Sequence, residues 1–141
     1  MSARHKARKR ALEILFSADV SGQPLVDALE AAATRAKEEP ERSSSWGYAE
    51  EIVRGIIKEG EGLDELLRGT SQSWPLERMP AVDRSVLRLA TWEIVHNPDV
   101  PPAVAISEAA ELVNELSTDS SAAFVHGILA TIAEKAAEVS P

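Results

Sequence analysis

The chain lacks cysteine, which excludes disulfide frameworks and thiolate metal sites. Aromatic residues make up only 4% of its 141 positions, a composition that suits helices better than a β-sandwich or barrel. No apolar run approaches the roughly 20 residues that a membrane span requires. Glu13 and Asp19 interrupt the apolar stretch that follows the basic N-terminus, so this stretch does not resemble a secretory signal. These absences predict a cytoplasmic protein that does not associate with membranes.

Motifs that carry catalytic or metal chemistry are also missing. The three histidines, His5, His96 and His126, lie far apart and form no His-x-x-x-His pair, so the sequence predicts no metal site. There is no Gly-x-x-x-x-Gly-Lys phosphate loop and no Gly-x-Ser-x-Gly nucleophile elbow. Acid pairs such as Glu50 and Glu51 are typical of solvated helix faces. We therefore predict a binding protein with no catalytic residue and no cofactor, not an enzyme.

Positive charge is concentrated in the first ten residues. Arg4, Lys6, Arg8, Lys9 and Arg10 lie there without an acid, whereas the whole chain has 15 basic and 23 acidic residues. The net charge of the chain is −8, so the acidic remainder contrasts with this basic arm. Such an arm favours a polyanionic partner and predicts steeply salt-dependent binding, because phosphate contacts release counterions. A solvated charge run is the alternative interpretation.

Apolar residues recur at helical spacing along almost the whole chain, and no segment alternates with a period of two. The first apolar stripe continues directly from the basic arm, so both are predicted to form one helix. The stretch from Gly69 to Pro75 is typical of a joint between two halves. We predict an all-α fold of about six to seven helices, with two packed three-helix bundles in residues 1–70 and 71–141.

Asp83, Arg84 and Phe124 in the second half could belong to the core or to a binding surface, and Gly127 is a fourth position of interest. Asp83 lies in the first turn of a predicted helix, where its charge meets the positive end of the dipole, and Arg84 follows it. Phe124 follows a run of capping residues and could pack in the core or stack on a base. Gly127 interrupts a helical pattern at a cost of about 1 kcal/mol relative to Ala, which indicates a packing reason such as close approach of another helix.

Several short segments of the chain form a characteristic set. The basic arm leads into Arg-Ala-Leu-Glu-Ile-Leu-Phe at residues 10–16, and the block at 74–89 contains Arg-Ser-Val-Leu-Arg at 84–88. Further on, Asp-Val-Pro lies at 99–101, Val-Ala-Ile-Ser-Glu-Ala at 104–109 and Phe-Val-His-Gly-Ile-Leu at 124–129. Each segment is a weak signal alone, but the set is specific in this order and spacing. Over nearly the whole chain, these segments resemble the NusB family of bacterial transcription antitermination factors.

The resemblance implies a single NusB-like domain of two three-helix bundles. It also implies binding to single-stranded boxA RNA of ribosomal RNA leader transcripts, pairing with the ribosomal protein NusE, and a place in the RNA polymerase antitermination complex. The RNA-binding residues that it implies are Arg4, Lys6, Arg8, Lys9, Arg10 and Phe124. The residues implied to face NusE are Asp83, Arg84 and Asp119.

Two features depart from the pattern of the family. His126 replaces the usual Asn, although an imidazole can also donate or accept a hydrogen bond. Residues 119–123 lack the basic residue that some members place before the Phe. Two other functions are left open: a helical adaptor whose arm binds an acidic protein, and an RNA-binding domain related to those of RNA methyltransferases. The sequence also leaves open a homodimer of the free protein.

Overall fold

The structure is a computed structural model that describes residues 2–139, with side chains described there except at positions 42, 119 and 139. Within that range it contains helices and no strand, which confirms the predicted all-α fold. The six α-helices are α1 (Ala3–Ser21), α2 (Leu25–Lys37), α3 (Ser43–Thr70), α4 (Ala81–His96), α5 (Pro102–Leu116) and α6 (Asp119–Val139). Short 3₁₀ turns at Pro40–Arg42 and Leu76–Arg78 precede α3 and α4.

The basic arm is the beginning of α1, as predicted, and continues into its apolar stem. Ser2 caps this helix, because its hydroxyl oxygen accepts a hydrogen bond from the His5 backbone N–H at 3.1 Å. Gly22 ends the helix in the left-handed conformation at φ 75°, and its N–H donates to the Ala18 carbonyl at 3.0 Å. The basic residues therefore lie on a regular helix, and the helical period decides which of them face the core.

The helices form two groups of three that share one apolar core. Helices α1, α2 and α3 pack against one another, and so do α4, α5 and α6. Contacts of α1 and α3 with α4 join the two groups. Fully buried leucines and isoleucines from both groups belong to the same cluster, among them Leu29, Ile52, Leu87, Leu112 and Leu129. Within residues 2–139, no helix is long and apolar enough to cross a membrane.

Two glycines show where helices approach closely and where they do not. A Cβ atom added to Gly55 of α3 would lie 2.1 Å from Nε1 of Trp92 on α4, so the indole packs directly on the helix backbone there. A Cβ added to Gly127 of α6 would meet nothing within 4 Å. The prediction of a close helix approach at Gly127 was therefore wrong, and that role belongs to Gly55.

Candidate nucleic-acid interface

The basic side chains of α1 divide between the core and the surface. His5 and Arg8 are only 3% and 2% exposed, because they lie on the helix face that continues into the apolar stripe. Arg4 and Lys6 are exposed, and Lys9 lies between these extremes. The sequence gives all of these positions the same basic character, whereas the fold assigns them different roles.

Arg8 joins α1 to α4 through a buried ion pair. Its Nε donates to both carboxylate oxygens of Glu93, at 3.1 and 3.0 Å, and Glu93 is 0% exposed. The Tyr48 hydroxyl of α3 donates to Glu93 and accepts from Nδ2 of Asn97 at 3.0 Å. Burial, together with the Glu93 carboxylate, raises the pKa of Tyr48, so this hydroxyl stays protonated. Arg8 therefore fixes the position of the basic helix and does not reach its accessible surface in this structure.

Two other arginines of α1 lie over aromatic rings of α3. The guanidinium carbon of Arg4 lies 4.4 Å from the centroid of Tyr48, and that of Arg10 lies 5.3 Å from the centroid of Trp46. Arg10 also donates to the Ser45 hydroxyl at 3.0 Å. Sequence reasoning missed these rings, because nothing in their spacing shows that α3 begins beside the basic turns of α1.

The two lysines at this end of α1 differ in their partners. Lys6 is exposed and has no ion pair within 4 Å among the side chains that the structure describes. Lys9 Nζ lies 2.9 Å from a carboxylate oxygen of Glu115 on α5. This hydrogen bond raises the pKa of Lys9 and lowers the pKa of Glu115. Because Glu115 is one residue from the end of α5, the ion pair places the basic turns beside the α5–α6 connection.

Phe124 lies at the boundary between the core and the surface. It is half-buried, and its ring packs edge-on against Trp74, with 4.8 Å between the ring centroids. Thr118 caps α6 just before it, because its hydroxyl oxygen accepts from the Ser121 N–H at 3.2 Å. His126 follows Phe124 as an exposed residue. The ring is thus anchored on one side and partly accessible at the beginning of α6.

The residues predicted to face a protein partner occupy different environments. Asp83 is 0% exposed, so it does not contribute to the surface of this chain. Arg84 is partly buried: its Nε donates to Asp19 of α1 at 2.7 Å, and its Nη1 donates to the Leu76 and Met79 carbonyls. The side chain of Asp119 lies outside the described residues. Of the three, Arg84 is the one that the structure shows at the surface, and it connects α4 to α1.

A groove between α1, α2 and α3 was not foreseen from the sequence. Its volume is about 420 Å³, and the residues that line it include Asp19, Val26, Ile57 and Arg88. Arg88 is held by Asp64 on α3, with 2.8 Å between Nε and Oδ1. Several large apolar side chains of α1, α2 and α3 are exposed: Phe16 (38%), Val20 (64%), Val26 (45%) and Ile57 (40%). The helical pattern alone does not distinguish these exposed residues from residues of the core.

Comparison with known proteins places this arrangement in a family. The sequence profile of the NusB family matches residues 5–134. The chain belongs to the NusB family. A transcription antitermination protein NusB of Leifsonia xyli subsp. xyli is 56% identical over 134 residues, covering 95% of this chain and 93% of the relative. That of Clavibacter sepedonicus is 52% identical over 133 residues, covering 94% and 97%.

Solved structures of NusB proteins share the fold. The structure of T. maritima NusB has a TM-score of 0.84 and 30% identity, and the match covers 96% of this chain and 93% of that one. A crystal structure of antitermination factors NusB and NusE in complex with dsRNA has a TM-score of 0.79 and 21% identity, covering 96% and 98%. The profile match and the two relatives confirm the family suggested by the sequence motifs, and the solved structures confirm the fold. Membership of the NusB family also supports the interpretation as a binding protein and not an enzyme.

Proposed function

We propose that this member of the NusB family is a transcription antitermination factor that binds single-stranded boxA-type leader RNA and pairs with NusE. Its place is then in the RNA polymerase complex that transcribes ribosomal RNA operons. The observation that carries the proposal is the exposed cationic surface at the beginning of α1, in a chain of net charge −8. The two relatives described above are named transcription antitermination proteins, and one solved neighbour contains NusE and RNA.

The cations of α1 provide the sequence-independent part of RNA binding. Arg4, Lys6, Lys9 and Arg10 contact phosphates in this proposal, because phosphate contacts hold and orient a nucleic acid. RNA competes with the Glu115 carboxylate for Lys9, since their atoms are 2.9 Å apart in the free protein. We leave Arg8 out of this surface, because its guanidinium is buried against Glu93.

Phe124 provides the sequence-specific part of RNA binding, which distinguishes one RNA sequence from another. Single-stranded RNA is read by stacking of unpaired bases on aromatic rings and by hydrogen bonds to base edges. The accessible side of the Phe124 ring suits the first of these contacts, and the exposed imidazole of His126 can supply the second. The ion pair between Lys9 and Glu115 supports one continuous interface, since it joins α1 to the helix that precedes α6.

A salt titration of RNA binding tests the cationic surface. We expect Lys6→Gln to reduce the slope of log affinity against log salt by about 0.7 to 1 for the lost phosphate contact. Lys58→Gln is the matched control, because Lys58 is an exposed lysine on α3, outside this surface. Equal slopes for Lys6→Gln, Lys58→Gln and the unaltered protein would refute the assignment.

A comparison of boxA-type RNA with scrambled RNA tests the role of Phe124. We expect Phe124→Leu, which keeps an apolar group against Trp74, to bind both RNAs with similar affinity. The stacking contribution that it loses is about 1–3 kcal/mol per base. Thermal unfolding of the variant serves as the control for packing. Undiminished preference for boxA-type RNA in a folded Phe124→Leu would contradict base stacking on this ring.

For the protein partner, we propose that NusE covers the groove between α1, α2 and α3. Exposed apolar patches mark interaction sites, and Val26 of α2 and Ile57 of α3 are exposed apolar side chains that line this groove. Asp19 pairs with Arg84, the residue that the family resemblance assigns to this surface. Asp19 and Asp64 pair with Arg84 and Arg88 beside the apolar side chains, so the apolar patch has the polar rim that is typical of a protein interface.

Calorimetric titration with NusE tests this surface. We expect Ile57→Ser to weaken NusE binding by at least tenfold, because Ile57 lines the groove, whereas Val104→Ser, at an exposed apolar residue of α5, leaves it unchanged. Equal affinities of the two variants would refute the assignment.

A mobility-shift assay with both RNAs, with and without NusE, separates this function from an RNA-independent adaptor and a methyltransferase-like RNA-binding domain. Light scattering of the free protein tests the homodimer.

A further inference from the structure

A cluster of metal-ligating groups lies where α1 meets α5, beside the cationic surface. His5 of α1 and Glu111 and Glu115 of α5 each offer one ligand atom, and these atoms all lie within 4.8 Å of one another. Glu111 and Glu115 are four residues apart on α5, so both carboxylates project from one face of that helix. Both acids are exposed at the surface, whereas His5 is 3% exposed.

The imidazole of His5 is held in a defined orientation by a third acid. Its Nδ1 lies 2.6 Å from a carboxylate oxygen of Glu108, which can only accept, so Nδ1 carries the proton of this hydrogen bond. The other ring nitrogen, Nε2, is buried and has no hydrogen-bond partner among the described residues. It faces Glu115 Oε1 across 3.6 Å, which is within ion-pair distance and slightly beyond hydrogen-bond distance. In the neutral imidazole, Nε2 thus presents a lone pair next to a carboxylate oxygen.

A proton on Nε2 would make this contact an ion pair, and a metal cation between the two groups would satisfy the same atoms. We propose that His5 Nε2, Glu111 and Glu115 bind one divalent transition-metal ion of the Zn²⁺ type. A histidine that ligates Zn²⁺ commonly donates its other ring N–H to a carboxylate, as His5 does to Glu108. An imidazole ligand beside two carboxylates favours Zn²⁺ over Mg²⁺ or Ca²⁺, which prefer oxygen ligands throughout.

The separations suit the coordination of a small ion. Ligand atoms about 2.0 to 2.2 Å from Zn²⁺ in a tetrahedron are roughly 3.3 to 3.6 Å from one another. The Nε2–Oε1 separation of 3.6 Å already meets this requirement. Glu111 is exposed, so its carboxylate can close the remaining gap by a change of rotamer. Lys9 contacts the other oxygen of Glu115, Oε2, and therefore leaves Oε1 directed toward His5.

Calorimetric titration of the chelator-treated full chain with Zn²⁺ tests the site, and Co²⁺ absorption spectra report the coordination geometry. We expect one equivalent of Zn²⁺ to bind, and Co²⁺ to give the intense visible bands of a tetrahedral site. Glu111→Gln should weaken Zn²⁺ binding by at least tenfold, and because Glu111 is exposed, this variant is expected to fold. His5→Gln should abolish the binding, with thermal unfolding to verify that the variant is folded.

Two control variants distinguish this site from adventitious binding. His96 lies 3.8 Å from Glu59, a histidine–carboxylate pair outside the cluster, and Glu51 is an exposed acid of α3. His96→Gln and Glu51→Gln should bind Zn²⁺ as the unaltered chain does. Absence of one-equivalent binding, unaltered affinity in Glu111→Gln, or a loss of affinity in His96→Gln equal to that in Glu111→Gln would each overturn the proposal.

Discussion

Replacement of Arg8 by Met tests whether this residue belongs to the RNA surface or to the core. Methionine has a similar length without the charge, so Arg8→Met removes one partner of the buried pair. The Glu93 carboxylate, which is 0% exposed, then retains only the hydroxyl of Tyr48 as a partner among the side chains of the described residues. An uncompensated buried charge is unfavourable, because the interior cannot replace the water that the charge has lost.

The expected loss of stability is large for this chain. Removal of one partner of a buried ion pair costs about 3–5 kcal/mol, compared with a total stability of about 5–15 kcal/mol for a typical domain. For a chain of this size, each kcal/mol shifts Tm by about 3 to 4 °C, so Tm should decrease by roughly 10 to 20 °C. Adding Glu93→Leu removes the stranded charge, and the double variant should recover most of that loss.

Thermal unfolding followed by circular dichroism measures this effect, with Lys6→Met as the matched control. Lys6 is exposed on the same helix and should change stability by no more than about 0.5 kcal/mol. If Arg8→Met melted like Lys6→Met and also reduced the salt dependence of RNA binding, the reasoning would be refuted. That result would show that Arg8 leaves Glu93 to contact a phosphate.

Three further predictions concern packing and buried charge. Gly55→Ala should destabilise the fold by about 1–3 kcal/mol in a denaturant titration, because Trp92 must move away from the new methyl group. Gly60→Ala is the control, because its new methyl group meets nothing within 4 Å, and it should be neutral or stabilising by up to about 1 kcal/mol. Tyr48 is the single tyrosine of the chain, and its pKa is higher in the folded state than in the unfolded state. The free energy of unfolding that this difference contributes is fully present below about pH 10 and is lost as the pH rises through the pKa of the folded state. Tyrosinate absorbance should therefore appear in an alkaline titration above the ordinary range, and its appearance near pH 10 in folded protein would contradict the assignment. Asp83→Lys should unfold the chain, because the site is 0% exposed, and a native circular dichroism spectrum and melting curve would show instead that the side chain reaches solvent.

Local patterns in the sequence predicted the fold well, because helix formation depends on spacing within one segment. The six helices, the continuity of the basic arm with α1, and the family motifs are all of this kind. The separate roles of Arg8 and Lys6 could not be predicted from local patterns. They depend on which side of α1 meets Glu93, which lies 85 residues further along the chain than Arg8. The cluster of His5 with Glu111 and Glu115 could not be predicted for the same reason.

The two glycines Gly55 and Gly127 illustrate the same limit. Both interrupt a helical pattern in a similar manner, and local sequence cannot show which one a second helix crosses. Only the position of Trp92, on a different helix, distinguishes them. For Asp83, the sequence pattern indicated a charge in the first turn of α4, and the structure shows that this side chain is buried. Its burial depends on the packing of α4 against neighbouring helices, which local sequence does not show.

The stacking of Arg4 on Tyr48 and of Arg10 on Trp46 has a consequence for the entropy of binding. A long cationic side chain that is ordered only when its partner arrives loses about 0.5–1.5 kcal/mol of rotamer freedom at that step. These two guanidinium groups lose much of that freedom during folding, against rings that α3 already holds in place. The two arginines together thereby reduce the entropic cost of association by about 1–3 kcal/mol at most. The aromatic side chains of α3 can therefore strengthen the binding of a polyanion without contacting it.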